Sequence, residues 1–408
     1  MGIGLLVGAT LGTLAHVLAP GSTAVEWLVA NVTEPAGRVF LRLLFMLVIP
    51  LIVSALALGV AGLGDLRDLG RVGVRTLVYT VVVSAIAVLL GVALVEIFEP
   101  GRVVGARVEP PAGSAAPAAS SGALESASGV DFFVKLVPNN VVEAMASGDM
   151  LAVMVFSLFL GIGLAAVRSD SARHLEQTIQ GLYDVVMWLL GVVIRLAPVG
   201  VACLLFTTTA RLGLEVLQQL AAYVAVVIAA LAIHLLGTYS LSVRWLGGMS
   251  PLVFFRAVRP AMLTAFSTAS SNATLPTALL VADQNLKLPS HVSRFVLTIG
   301  STANKNGTAL FEGVTVLFLA QLYGVDLSLS QSILVVAICV LGGIGTAGVP
   351  AGSIPVIAMI LGMIGVPPEG VGLILGVDRF LDMCRTTVNV TGDLAAAVVV
   401  SRGETARS

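Results

Sequence analysis

The sequence predicts an all-α polytopic membrane protein, and three observations carry that prediction. Of 408 residues, 57% are hydrophobic and 11% charged, with mean hydropathy +1.01, whereas soluble domains carry about 25% charged residues. Apolar runs recur along the chain, separated by short polar loops. Within the later runs stand Asn, Gly, Pro, Ser and Thr, residues that open the backbone where it lines an enclosed cavity. The formal net charge of −1 points to no nucleic acid and no acidic partner. Cys203, Cys339 and Cys384 are scattered through apolar segments, which argues against a disulfide framework or metal centre. His16, His174, His234 and His291 stand isolated and read as structural. No nucleophile, base and orienter set suggests an enzyme, and no cofactor motif is present.

The first span covers residues 3–18. It has the length of a signal peptide, but it lacks a basic n-region and further spans follow, so it reads as a helix. Further spans are predicted at 39–63, 76–98, 150–167, 182–205 and 220–241. Residues 100–129, rich in Ala, Ser, Pro and Gly, read as a flexible loop. Arg67, Arg71 and Arg75, then Arg168 and Arg173, then Arg244, Arg256 and Arg259 follow alternate spans, and Lys287, Arg294 and Arg402 extend the same side. By the positive-inside rule that side is cytoplasmic, and so is the amino terminus. Arg102 and Arg107 carry little weight because their loop is long.

From about residue 250 the pattern changes. TAFSTASSNATLP (264–276) and GGIGTAGVPAGSIP (342–355) place small polar residues and proline between apolar arms. The arms, of about 10 to 15 residues, are short of the ~20 that a span needs, which predicts two re-entrant hairpins. After each comes a helix with an Asn-x-x-Gly signature, at 304–307 and at 389–392, each predicted to be interrupted. Repeated, interrupted segments point to a transporter binding site. The most unusual stretch is GSTANKNGTALFEG (300–313), where Lys305, one of three lysines in the chain, lies in an apolar run. A charge at that depth costs a few kcal/mol unless it faces a cavity or partner.

In the last helix, Asp378, Asp382, Arg385, Asn389 and Asp393 fall on one face at about 3.6 residues per turn, with Thr386 beside them. A solvated stripe fits poorly, because the flanking sequence is lipid-like. Arg385 can hold a carboxylate by a two-point fork, and Asp382 can accept from an ammonium. Together they describe a site for a zwitterion with an extra acid group.

The segments TAFSTASSNATLP, NKNGTALFEG, GTAGVP and DRFLDMCRTTVNVTGD, with FLRLLFMLVIPLIVSALALGVAGLGDL in the second span, resemble the dicarboxylate/amino acid:cation symporter family, the glutamate and aspartate transporters. The likeness covers nearly the whole chain. It implies eight transmembrane helices and two re-entrant hairpins in inverted repeats, assembled as a homotrimer in the lipid bilayer of the inner membrane. It implies a scaffold of TM1–TM2 (1–70) and TM4–TM5 (150–214), with an outer loop and the start of TM4 at 101–149. The mobile unit, moving as an elevator, comprises TM3 (71–100), TM6 (215–247) and a core of hairpins, TM7 and TM8 (248–408). By the same resemblance Arg385 binds the substrate side-chain carboxylate and Asp382 its amino group. Thr308, Thr386 and Asn389 are neighbouring ligands, and Ser271 and Val349 sit at the hairpin tips. Gly345, Thr346, Ala347, Gly348, Pro350 and Gly352 belong to the outer gate. Keeping both Asp382 and Arg385 favours an acidic amino acid over a plain dicarboxylate.

The chain departs from the family at its usual Asn-Met-Asp-Gly-Thr motif, which reads Asn304-Lys305-Asn306-Gly307-Thr308 here. The aspartate that ligates sodium is the neutral Asn306, and a hydroxyl residue of the same site is Val83, although Ser84 is kept. The Lys305 ammonium is therefore expected to occupy the place and charge of a sodium ion, balanced by Asp393 or Asp378. Alternatively Lys305 snorkels away and Asn306 holds a cation through its carbonyl. Asp393 and Asn389 remain as a residual sodium site. Glu312 resembles an acidic position linked to proton coupling, or it is a satisfied structural glutamate. The expected function is sodium-independent transport of L-aspartate or L-glutamate, with the proton as candidate co-transported ion. The competing readings are sodium-coupled symport, a dicarboxylate carrier and an anion channel, the last having little need of the Asp382–Arg385 pair.

Overall fold

A computed structural model describes residues 2–62, 71–102, 137–147, 149–167, 169–345 and 353–402, and these form helices joined by short turns, with no strand among them. The outer gate from Thr346 to Gly352, with Val349, and Arg67, Arg107, Lys135 and Arg168 lie outside the described residues. Helix α1 (Gly2–Leu18) is followed by α2 (Thr23–Leu28), a π turn, α3 (Glu34–Phe45) and α4 (Val48–Gly62). Then come α5 (Arg71–Phe98), α6 (Val141–Ser147), α7 (Met150–Ala166) and α8 (Asp170–Leu212). Next, α9 (Glu215–Ile233) runs through two π turns and the single turn α10 (Tyr239–Leu241) to Leu246. Among the described residues, four stretches are long and apolar enough to cross a membrane: Thr23–Ala61, Arg71–Phe98, Asp170–Arg211 and Glu215–Leu246.

Several helices outrun their predicted spans, because hydropathy marks the bilayer and not the hydrogen-bond ladder. Helix α8 starts where Ser169 Oγ accepts from the Ala172 amide at 3.1 Å, with Asp170 in its first turn, and ends at Gly213 with φ 68°. These are an N-cap, a favourable charge on the helix dipole and a left-handed stop. Its 43 residues therefore reach well past the predicted 182–205.

Three glycines fix α1 on α8. Gly4, Gly8 and Gly12 recur every fourth residue, and a Cβ at each would run into the Pro198, Ala202 and Phe206 carbonyls of α8. Small residues at this spacing let two backbones touch. Replacing Gly8 with Leu should drive the helices apart and destabilise the protein by about 1–3 kcal/mol or more. A melting temperature in detergent indistinguishable from that of the parent would contradict this.

The C-terminal part is built around one helix with no free face. Helix α11 (Pro251–Thr268) turns through Ala269, left-handed at φ 50°, into α12 (Ser271–Leu280), against which it packs. Helix α13 (Ser290–Ala303) stops at Asn304 and Lys305, and α14 (Asn306–Leu322) begins, buried at every one of its 17 residues. After α15 (Leu329–Gly345) and α16 (Ile354–Met363), the long α17 (Val371–Ser401) completes the core beside α14. The first arms, α11 and α15, have 18 and 17 residues, longer than the ~10 to 15 expected.

The predicted break near Asn304 is present, whereas the one predicted at 389–392 is not: α17 runs unbroken for 31 residues. The flanking threonines do not open the helix, since Thr387 and Thr391 donate back to the carbonyls four residues before them, at 2.9 and 2.7 Å. Gly392 serves close approach instead, for a Cβ there would come within 2.5 Å of Tyr239 Oη. At the other end of the core, two glutamines clasp the turn after α5. Gln219 Nε2 donates to the Gly101 carbonyl at 3.1 Å and the Gly101 amide to Gln321 Oε1 at 3.2 Å.

Candidate functional site

The polar residues singled out in α13, α14 and α17 converge on the face between α14 and α17. Arg385 is buried, and its guanidinium bridges two carboxylates of its own helix. Nε donates to Asp382 Oδ1 at 2.9 Å and Nη1 to Asp378 Oδ1 at 3.0 Å. The spacing of three and seven residues places all three on one side of the helix. The guanidinium Cζ lies over the Phe311 ring, 4.2 Å from its centroid, a cation–π contact that stiffens the fork in a buried site. Phe311 follows two residues after Ala309 in the NKNGTALFEG segment, and only a tertiary contact reveals its role.

Asn389 is committed to α14. Its Oδ1 accepts from the Gly307 amide at 2.8 Å and the Thr308 amide at 3.3 Å, and its Nδ2 donates to Thr308 Oγ1 at 2.9 Å. The first turn of any helix leaves amides without intrahelical partners, and here a side chain from another helix caps them. Thr386, one turn before, is buried at 4% exposure. Ser271, at the α11–α12 turn, is buried too.

Lys305 sits in the break itself and is 2% exposed. Its Nζ donates to the Ser301 carbonyl, one of the last carbonyls of α13. Those carbonyls lack helical partners and carry the negative end of the helix dipole, so a cation there is doubly satisfied. No carboxylate forms an ion pair with the ammonium among the described residues. Asp378, one of the two candidate counter-charges, is engaged by Arg385. Asp393 accepts from Asn304 Nδ2 at 2.9 Å and packs on the Gly300 backbone, where a Cβ would stand 2.6 Å from Oδ1. Asn304 Oδ1 is buried with no hydrogen-bond partner among the described residues.

Asn306 is held by a chain of neutral bonds. Ser84 Oγ donates to Asn306 Oδ1 at 2.5 Å, Asn306 Nδ2 donates to Tyr239 Oη at 3.2 Å, and Tyr239 Oη donates to the Val388 carbonyl at 3.1 Å. The amide oxygen and the amide nitrogen are thus each bonded to protein. Tyr239 went unnoticed in the sequence because a lone tyrosine in an apolar run carries no pattern. Glu312, on the buried α14, lies against α15, where a Cβ on Gly342 would come within 3.2 Å of its Oε2.

This arrangement can hold one small ligand bearing opposite charges, exchanging the Arg385–Asp382 contact for contacts to ligand carboxylate and ammonium. Comparison with known proteins gives this geometry its context. The sodium:dicarboxylate symporter family matches residues 1–403. A proton/glutamate-aspartate symporter of Escherichia coli (strain K12) is 34% identical over 402 residues, covering 98% of this chain and 91% of the relative. A proton/sodium-glutamate symport protein of Geobacillus stearothermophilus is 33% identical over 402 residues, with 98% and 93% covered. A C4-dicarboxylate transport protein of Anaeromyxobacter sp. (strain K) is 31% identical, with 98% and 89% covered.

Proposed function

The chain belongs to the sodium:dicarboxylate symporter family, and from that premise we propose that it carries L-aspartate or L-glutamate across the inner membrane without sodium, using Lys305 as a built-in cation. The observation that carries this reading is the buried Lys305 ammonium on the Ser301 carbonyl. Asn306, neutral and occupied on both sides, supports it from the other half of the site. Arg385 takes the substrate side-chain carboxylate and Asp382 its amino group, with Thr308, Thr386, Asn389, Ser271 and Val349 around them. The similarity to symporters whose names specify glutamate and aspartate supports that substrate class.

Movement follows the family pattern of a trimeric scaffold and a sliding transport unit, gated by the segment from Gly345 to Gly352. Glu312 is the proposed proton carrier: it is a fully buried carboxyl beside the arm that leads into that gate. One observation favours a second reading, sodium-coupled symport. Asn304 Oδ1 lacks a partner next to Asp393, a pair of oxygens of the kind that hard cations seek.

Labelled L-aspartate uptake into proteoliposomes separates the two. With sodium replaced on both sides, uptake should persist and should rise when an inward proton gradient is imposed. Glu312→Gln should abolish the rise while leaving exchange of aspartate for aspartate intact. Uptake that vanishes without sodium would overturn the built-in cation, and gradient stimulation surviving in Glu312→Gln would remove that residue as carrier.

A further inference from the structure

Between α5, the end of the α9–α10 segment and the last turns of α17 lies a cleft of about 800 Å³. Its walls are hydrocarbon: Val78, Val82 and Ile86 from α5, Leu241 and Leu246 from the second, and Val399 from the third. Of its three hydroxyl-bearing lining residues, Tyr79, Thr238 and Ser242, the first and last bond each other at 3.0 Å and so present little polarity to an occupant. From Val74 to Ile86 the cleft follows α5 for about 18 Å at ~1.5 Å per residue, the length of a long acyl segment.

Charge is confined to one end. Arg75, near the start of α5, and Arg402, just past α17, line the same cleft and are both exposed. Arg402 Nη1 donates to the Trp245 and Leu246 carbonyls, each at 2.9 Å. That contact fixes the guanidinium where the second segment ends, beside the Trp245 ring, which is 71% exposed. A tryptophan at this position marks the headgroup level of a bilayer. The loop arginines assign this end to the cytoplasmic face, where anionic lipids supply a negative surface.

We propose that the cleft binds an anionic phospholipid, with one acyl chain along α5 and its phosphate at Arg75 and Arg402. Basic pockets between transmembrane helices on the cytoplasmic side take such headgroups, and Arg matches phosphate through paired donors. The site is independent of the transport reading, although Val83 on its wall is followed by Ser84, the donor to Asn306.

Native mass spectrometry of the full-length protein in detergent tests the site with dioleoylphosphatidylglycerol and dioleoylphosphatidylcholine. The parent should retain the anionic lipid about thirtyfold more strongly, as two nearby arginines would give. Arg75→Gln should lose most of that preference. Val82→Trp leaves both arginines in place and fills the trough, so it should lose the bound lipid. Equal retention of the two lipids by the parent, or unchanged anionic-lipid retention in both variants, overturns the proposal. So would efficient disulfide formation between two copies of a Val82→Cys variant, which would make the cleft a subunit contact.

Discussion

Replacing Lys305 with Met and Asn306 with Asp is expected to make aspartate uptake depend on sodium. The double change removes a buried positive charge and adds a negative one, so the pocket becomes two charges more negative with Asp393 unchanged. A buried carboxylate left without a partner costs several kcal/mol. At ~1.4 kcal/mol per decade, uptake without sodium should fall by about a hundredfold and return when sodium is supplied. The geometry favours a clean exchange. Ser84 Oγ already donates to position 306, and Tyr239 Oη can turn its proton from the Val388 carbonyl to a carboxylate. Uptake by the double variant that is the same with and without sodium would show that Lys305 does not stand in for an ion.

Removing the Arg385 guanidinium has the other large expected effect. Arg385→Ala leaves Asp378 and Asp382 facing each other in a buried site, and breaking a buried pair costs about 3–5 kcal/mol. Saturable uptake of L-aspartate should fall at least a hundredfold at equal amounts of reconstituted protein. Arg385→Lys should rescue little, because Nε and Nη1 bond different carboxylates while Cζ sits over the Phe311 ring, and one ammonium cannot do all three. Asp382→Asn keeps the guanidinium anchored on Asp378 and removes only the proposed acceptor for the substrate ammonium. It should weaken aspartate more than succinate, a dicarboxylate with no amino group. Aspartate uptake within threefold of the parent in Arg385→Ala, from well-folded protein, would remove the residue from the binding site.

Much of this was legible in the sequence, and the limits have physical causes. The spans were readable because hydropathy reports burial in hydrocarbon. Their ends were not, because caps such as Ser169 and stops such as Gly213 act on the ladder outside the bilayer. The break at Lys305 was readable from a charge and two asparagines in an apolar run. The same Asn-x-x-Gly signature misled at 389, because Asn389 spends its amide on α14 instead of competing with its own backbone. The charged stripe of α17 follows from helical spacing alone. Phe311 under Arg385 and Tyr239 beneath Asn306 do not, since each contact joins helices about seventy residues apart in the chain.

The glycine ladder joining α1 to α8 has a mechanical consequence. Side chains between helices act as bearings: they switch rotamer and let one cylinder slip past another. At Gly4 and Gly8 backbone meets backbone with no side chain between, and at Gly12 the Phe206 carbonyl and the Thr209 hydroxyl both press on the glycine. Slippage would have to break all three seats at once, so the two helices form one stiff strut. Any relative motion between helices must therefore come from other seams of the molecule.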